Sequence, residues 1–330
     1  MNNALWLGLL KRVLWGIVTM WGVSVIVFAL LFIVPRFGRS HMTGDSEVKG
    51  ASDPTTMMAL AFAGAHATAE NIAAIKHDRG LDKPLLVQYT MFVHDALTDK
   101  LKSYRGNGTL VMSSIAQRFP ATLLLAVSGL SIWLLVAIPL GTLTAKYDRS
   151  FLDRAVLFLS VLAVSIPTFW LGKLLQYYVG YRWGLASVGG EASLWNLPLP
   201  ALTLGIGGAA YYSRLLHSNM RGVLKQEFVR AARARGLSEP QVLGKHGLKN
   251  ALIPLITILG MDFASLLSGL IFTEKIFGWP GIGSLAVDSV TNQDTPMIMG
   301  TVLFSALVVV IANILVDFAY RLIDPRVRLA

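Results

Sequence analysis

Residues 217–254 read HSNMRGVLKQEFVRAARARGLSEPQVLGKHGLKNALIP, a basic, polar island between two strongly apolar stretches. The island predicts two helices and a sharp turn. Leu216, Met220, Val223, Leu224, Phe228 and Ala231 recur at helical spacing and would form one apolar stripe. Arg221, Lys225, Arg230 and Arg233 fall on the other faces. Gly236 should stop this helix, because a residue without Cβ takes the left-handed conformation that satisfies the last carbonyls. Ser238 follows as an N-cap with Gln241 three residues on, and Pro240 is tolerated in the first turn, where its missing N–H costs little. The second, short helix offers Val242, Leu243 and His246. A short helix held on a hairpin is suited to docking rather than to catalysis.

Composition narrows the class. The chain has 330 residues, is 54% hydrophobic and only 15% charged, and its apolar residues lie in long runs, which marks an integral membrane protein. A net charge of +10 is compatible with nucleic-acid binding, but a DNA reader tethered between two membrane spans is a poor account of its distribution. The absence of cysteine excludes disulfides, thiolate catalysis and cysteine metal sites.

Within the island, Glu227, Ala231, Ala232 and Gly236, followed by Asn250, Ala251 and Pro254, resemble the EAA loop of bacterial ABC importer permeases. The string EFVRAARARGLS…HGLKNALIP resembles the dipeptide/oligopeptide/nickel branch, B-type subunit. This resemblance implies an all-α type I importer permease with six transmembrane helices and an extracytoplasmic insertion between the first two. It also implies that the helix after Gly236 is a coupling helix seated in a cytoplasmic ATPase subunit. The residues agree: Ala231 and Ala232 permit close approach, and Glu227 can reach Arg230 or a partner's cation. The alternative reading of the island is an ordinary basic loop that orients the protein.

Six apolar stretches fit that layout. Val13 to Val34, behind Lys11 and Arg12, is long enough at ~1.5 Å per residue to cross a ~30 Å core, and too long for a cleaved signal peptide. Residues 1–35 are therefore the N-terminus and first span. Residues 36–118 form a polar external domain, in which Thr68-Ala69-Glu70 and GLDKPLLVQY resemble the family's periplasmic segment. At 36–66 the chain departs from the family, with an insertion in place of a PGDP-type sequence. His41, His66, His77 and His94 are scattered without metal-ligand spacing and read as solvated. Residues 119–330 are the five-helix core, with the coupling loop at 217–250.

The second span runs from Ala121 to Ala145, and the third from Ala155 to about Gly180, kinked near Pro167. Residues 197–216 form a fourth span, whose Gly205, Gly207, Gly208, Ala209 and Ala210 give a small-residue packing face. The fifth runs from Ala251 to about Phe272 and the sixth from Met297 to Ala319, ahead of the family-like LIDPRVR. The external loop between them carries Trp279, Pro280, Gly281 and Gly283, resembling the family's GxPG-type loop, and must turn without helix. Sixteen Lys/Arg fall on the expected inner segments and only Arg182 and Lys275 on the short outer loops, which places both termini in the cytoplasm.

Two ionisable residues lie inside spans. An ionised Asp262 in the fifth costs ~2.5–3.5 kcal/mol on insertion scales, so it should face water or protein. It either lines the translocation pathway, favouring cationic substrates or an α-ammonium group, or pairs with a neighbouring helix for assembly. Related permeases tend to have Gln there. Lys173 either snorkels to the outer headgroups or lines the pathway.

No phosphate-binding G-x-x-x-x-G-K-[ST] occurs, nor any nucleophile–base constellation, so the chain is not an enzyme, needs no cofactor and depends on another subunit for ATP hydrolysis. The resemblance implies a partner permease (C-type), two ATPase subunits, an external solute-binding protein and residence in the bacterial inner membrane. The competing class is a self-sufficient channel or secondary carrier. It lacks any visible inverted repeat in its favour.

Overall fold

A computed structural model of the protein describes residues 2–34, 55–56, 59, 68–78, 80–104 and 108–323. The insertion expected at 36–66, with His41 and His66, lies largely or wholly outside the described residues, as does most of the C-terminal LIDPRVR string. What is described is helical. A single antiparallel bridge, Lys102 with Leu110, is present among the described residues.

Among the described residues, three helices are each long and apolar enough to cross a membrane. They lie at Leu10–Ile33, Val111–Lys146 and Thr295–Val316. The first belongs to α1 (Asn2–Phe28), whose last turn widens to a π-helical segment. The second is the 36-residue α4 (Val111–Lys146). It starts ten residues before the expected second span, and it takes Pro120 and Pro139 into its interior without interruption.

Two bent pairs occupy the third and fifth expected spans. The third is not a kinked rod. Between α5 (Phe151–Ser165) and α6 (Thr168–Leu175) the chain turns by 97°. The cause is local: Pro167 has no N–H for the ladder and pushes Ile166 to extended backbone, so two consecutive residues leave the helical region. The fourth expected span is α7 (Pro198–Leu224), 27 residues and so about 40 Å long.

The chain divides into two compact units, residues 1–119 with 285–310 and residues 120–284 with 311–329. In the first, α1 packs on α3 (Leu85–Leu97), with Phe28 stacked on Phe32 at 4.4 Å and edge-on to Tyr89 at 5.3 Å. Ser24 and Tyr89 share a 2.8 Å hydrogen bond across that contact. The small helix α2 (Ala69–Asp78) is capped by the Thr68 hydroxyl, which accepts the Asn71 N–H at 3.3 Å. Gln88 then fixes GLDKP by donating to the carbonyls of Leu81 and Lys83. His77 is exposed and meets Asp82 at 3.0 Å, which holds that carboxyl below its ordinary range.

In the second unit α7 is central. Its small residues let α4 approach closely: a Cβ on Gly205 would lie 2.4 Å from Ile132, and one on Gly208 2.0 Å from the Trp133 ring. Gly207 faces open space and is not part of that contact. Trp133 stacks on Tyr212 at 5.4 Å, and Leu216, Met220 and Leu255 complete the core.

Candidate functional site

The island at 217–254 folds as a hairpin, but its first arm is broken. α7 ends at Leu224, Lys225 and Gln226 leave the helix, and α8 (Glu227–Ala234) begins afresh. The break changes the helical phase, so the predicted stripe holds only as far as Leu224. In α8 the buried residues are Val229 and Ala232, while Phe228 and Ala231 are exposed.

Gly236 ends α8 as expected, with φ +82°. The Gly236 N–H donates to Arg233 O at 2.9 Å and the Leu237 N–H to Ala232 O at 3.4 Å, the paired bonds of a Schellman stop. Leu237 closes over Val229, Ala232 and Val242. The second arm starts at Ser238, whose N–H donates to Gln241 Oε1 at 3.2 Å, with Pro240 in the first turn.

Two expectations for this arm need correction. Val242 is buried in the hairpin's own core and Leu243 in the larger core with Leu216 and Met220, so neither lies on the exposed face. The arm is also not a separate short helix. α9 (Glu239–Gln241) continues through a π-helical segment, Val242–Leu248, into α10 (Lys249–Gly269) without a break. The outward surface is made by Glu227, Phe228, Ala231, Gly236, Ser238 and Pro240, with His246 half-buried at its edge. Glu227 does not pair with Arg230. The ion pair is Arg233 with Glu239 at 2.8 Å, joining the arms. That hydrogen bond lowers the Glu239 carboxyl from its ordinary value. Its small contribution is thus present through the neutral range and lost only as pH falls through the lowered value, and being exposed it is worth at most ~1 kcal/mol.

Asp262 lies on α10 and accepts a 2.7 Å hydrogen bond from the Tyr212 hydroxyl of α7. It also lines a cavity of about 280 Å³ beside Trp133, Thr168 and Leu204. One side chain thus borders a cavity and contacts a neighbouring helix. Lys173, on α6, is exposed and donates to Gln176 Oε1 at 3.0 Å. Gln176 in turn donates to the carbonyls of Val188 and Ile276.

The Trp279–Gly283 turn is built around a residue that sequence reasoning passed over. Glu274, on α11 (Ile271–Phe277), is fully buried. Its Oε1 accepts from the Thr122 hydroxyl at 2.7 Å and its Oε2 from the Ser284 N–H at 2.8 Å, while Thr122 Oγ1 accepts the Ile282 N–H at 2.8 Å. These N–H groups open α12 (Ile282–Thr291), so a carboxyl from α11 and a hydroxyl from α4 each satisfy one orphan donor of its first turn. Gly281 is needed for the approach, since a Cβ there would stand 2.1 Å from Glu274 Oε1, while one on Gly283 would stand 2.9 Å from the Ile271 backbone and 3.0 Å from Oε2. Trp279 is buried and donates its Nε1–H to Ala121 O at 2.9 Å. The available signal was one carboxylate inside the string IFTEKIF, seven residues ahead of Gly281 and its close neighbour Gly283.

A third polar group joins α5 to α7. Asp148, Asp153 and His217 bring ligand-type atoms within 4.8 Å of one another. Arg221 Nε lies 3.0 Å from Asp148, and His217 Nδ1 lies 3.1 Å from Thr144 Oγ1 and 3.5 Å from Asp153. The positive partner is thus a guanidinium of the chain itself.

Residues 137–329 match the family described as binding-protein-dependent transport system inner membrane component. The chain is 35% identical over 319 residues to the glutathione transport system permease protein GsiC of Salmonella choleraesuis (strain SC-B67), covering 97% of this chain and 98% of that protein. It is 38% identical over 259 residues to the oligopeptide transport system permease protein AppB of Bacillus subtilis (strain 168), covering 75% and 82%. Among solved structures it is similar to a chain of the MetNI methionine ABC transporter in an inward-facing conformation. There the TM-score is 0.54 and the identity 19%, over 64% of this chain and 97% of that one.

Proposed function

The chain belongs to the family of binding-protein-dependent transport system inner membrane components, and from that premise we propose that it carries peptides through the membrane when driven by a separate ATPase. As a non-catalytic transmembrane subunit of an ABC importer it supplies part of the translocation pathway. The peptide assignment is supported by the glutathione and oligopeptide permeases that it resembles over most of its length. In this reading it pairs with a homologous C-type permease, two cytoplasmic ATPase subunits and an external binding protein. Both termini and the loop at 217–250 lie in the cytoplasm, and residues 36–118 lie outside.

The observation that carries the coupling role is the hairpin itself. Its interior is filled by its own Val229, Ala232 and Val242, so its shape does not depend on a partner. Its outer face leaves small or short side chains at Ala231, Gly236 and Ser238, and Glu227 available to a partner's cation. Ala231 and Ala232 thus divide the work, one facing the ATPase and the other the hairpin core.

Ala231→Glu tests this directly. The position is exposed, so membrane abundance should stay near wild type, while ATPase subunits co-purify poorly and ATP-driven peptide uptake falls by about tenfold or more, the size of a lost central contact. Ala232→Glu should instead lower abundance, because it places a charge in the hairpin core. Undiminished co-purification and uptake in Ala231→Glu would remove the coupling assignment. Uptake by the wild-type chain without ATPase subunits would favour a self-sufficient carrier.

A further inference from the structure

We infer that the cavity at Asp262 is a binding site for a primary ammonium group, the N-terminus or a lysine side chain of a passing peptide. The inference rests on the peptide reading above and adds to it the chemical group recognised within the membrane.

Asp262 sits in the middle of α10, in an otherwise apolar sequence, and no Lys or Arg among the described residues pairs with it. One of its oxygens accepts the Tyr212 hydroxyl, which fixes the carboxyl plane; the other has no partner among the described residues. Tyr212 is itself immobilised, fully buried and stacked on Trp133, whose indole N–H is taken up by Leu204 O at 2.8 Å. The aromatic wall therefore offers no competing donor to the carboxylate. Around it the cavity presents Thr168, Ser265 and Thr273 with apolar Leu204 and Leu266, and no cationic side chain. At about 280 Å³ the space suits a charged headgroup and a few carbons rather than a whole oligopeptide. An acceptor held rigid, bordered by hydroxyls and lacking a resident cation is complementary to a hydrogen-bond donor that carries positive charge.

Carbodiimide labelling of the assembled importer tests the site without requiring transport. Dicyclohexylcarbodiimide modifies carboxyl groups in apolar surroundings, and Asp262→Asn identifies the Asp262 product. Trialanine amide, which carries one ammonium, should slow labelling of Asp262 by about tenfold or more, as expected for a charge-assisted hydrogen bond. N-acetyl-trialanine amide, identical but uncharged, should leave it unchanged. In parallel, Asp262→Asn should reduce ATP-driven uptake of lysine-containing peptides several-fold more than that of peptides without lysine, and Asp262→Glu should restore part of the difference.

Equal protection by the two amides, or none, would overturn the inference. So would a wild-type Asp262 that never labels, since its carboxyl would then be paired with another subunit. Uniform loss of uptake together with poor assembly in both Asp262→Asn and Tyr212→Phe would assign the pair to helix packing and equally overturn it. Protection without ATP-driven peptide uptake would keep the ammonium site and remove the peptide reading; uptake without protection would do the reverse.

Discussion

Gly281→Val should leave little intact protein in the membrane. The side chain would have to occupy the space held by the Glu274 carboxyl, 2.1 Å from where its Cβ would stand, and that carboxyl is buried and fixed by hydrogen bonds rather than free to swing away. Pushing Glu274 aside strands the Thr122 hydroxyl hydrogen and the Ser284 N–H, and loosens the Thr122 oxygen that accepts the Ile282 N–H. Leaving buried polar groups unsatisfied costs about 1–3 kcal/mol each, so the loss is a large part of the ~5–15 kcal/mol that holds a typical domain. Membrane abundance and the thermal midpoint of the detergent-solubilised importer report it. Glu274→Gln, which keeps an acceptor for Thr122, should be milder than Gly281→Val. Normal abundance and midpoint in Gly281→Val would show that the turn yields, and that the carboxyl does not organise it.

The second large effect is confined to coupling. Gly236 has φ +82°, which the proline ring, fixed near −65°, cannot adopt, and its N–H is the donor to Arg233 O. Nothing lies within 4 Å of a Cβ at Gly236, so any loss from substitution comes from backbone conformation and not from crowding. Gly236→Pro should therefore unwind the junction of the hairpin arms, keep the spans inserted and cut ATP-driven uptake by about a hundredfold, since a misplaced element far from the chemistry can cost that much. Gly236→Ala separates strain from the loss of the hydrogen bond. It accepts the left-handed conformation at a cost of ~1–2 kcal/mol and should transport within a few-fold of wild type. Wild-type uptake in Gly236→Pro would break the link between hairpin geometry and transport.

These two glycines also mark what sequence can and cannot convey. Gly236 was legible because its reasons are local: an apolar helical pattern ends, a residue free of Cβ follows, and Ser238 with Gln241 restarts the helix. Gly281 was legible as part of a non-helical turn, but its partner was not. Thr122 is 152 residues from Glu274, and Tyr212 is 50 from Asp262. No spacing rule reaches that far. The misassigned stripe has the opposite cause, since Lys225 and Gln226 carry no Gly or Pro to announce a break, and Phe228 and Ala231 continue the pattern as though none occurred. Pro167 did announce a disturbance. Its 97° extent follows from two successive residues leaving the helical region, where the sequence had suggested one kink.

The unbroken path from Glu239 to Gly269 has a mechanical meaning. Asp262 is 23 residues from Glu239, about 35 Å at the helical rise, and both ride on one rod with a single 43° elbow within a turn of Pro254. If the hairpin docks an ATPase as proposed above, a tilt imposed there would reach the carboxylate as a lever stroke, with no relay of side chains in between. The widened Val242–Leu248 turn and the elbow are the two places where that stroke can be absorbed. Under the same proposal, stiffening or softening them would alter how much of that motion arrives at Asp262.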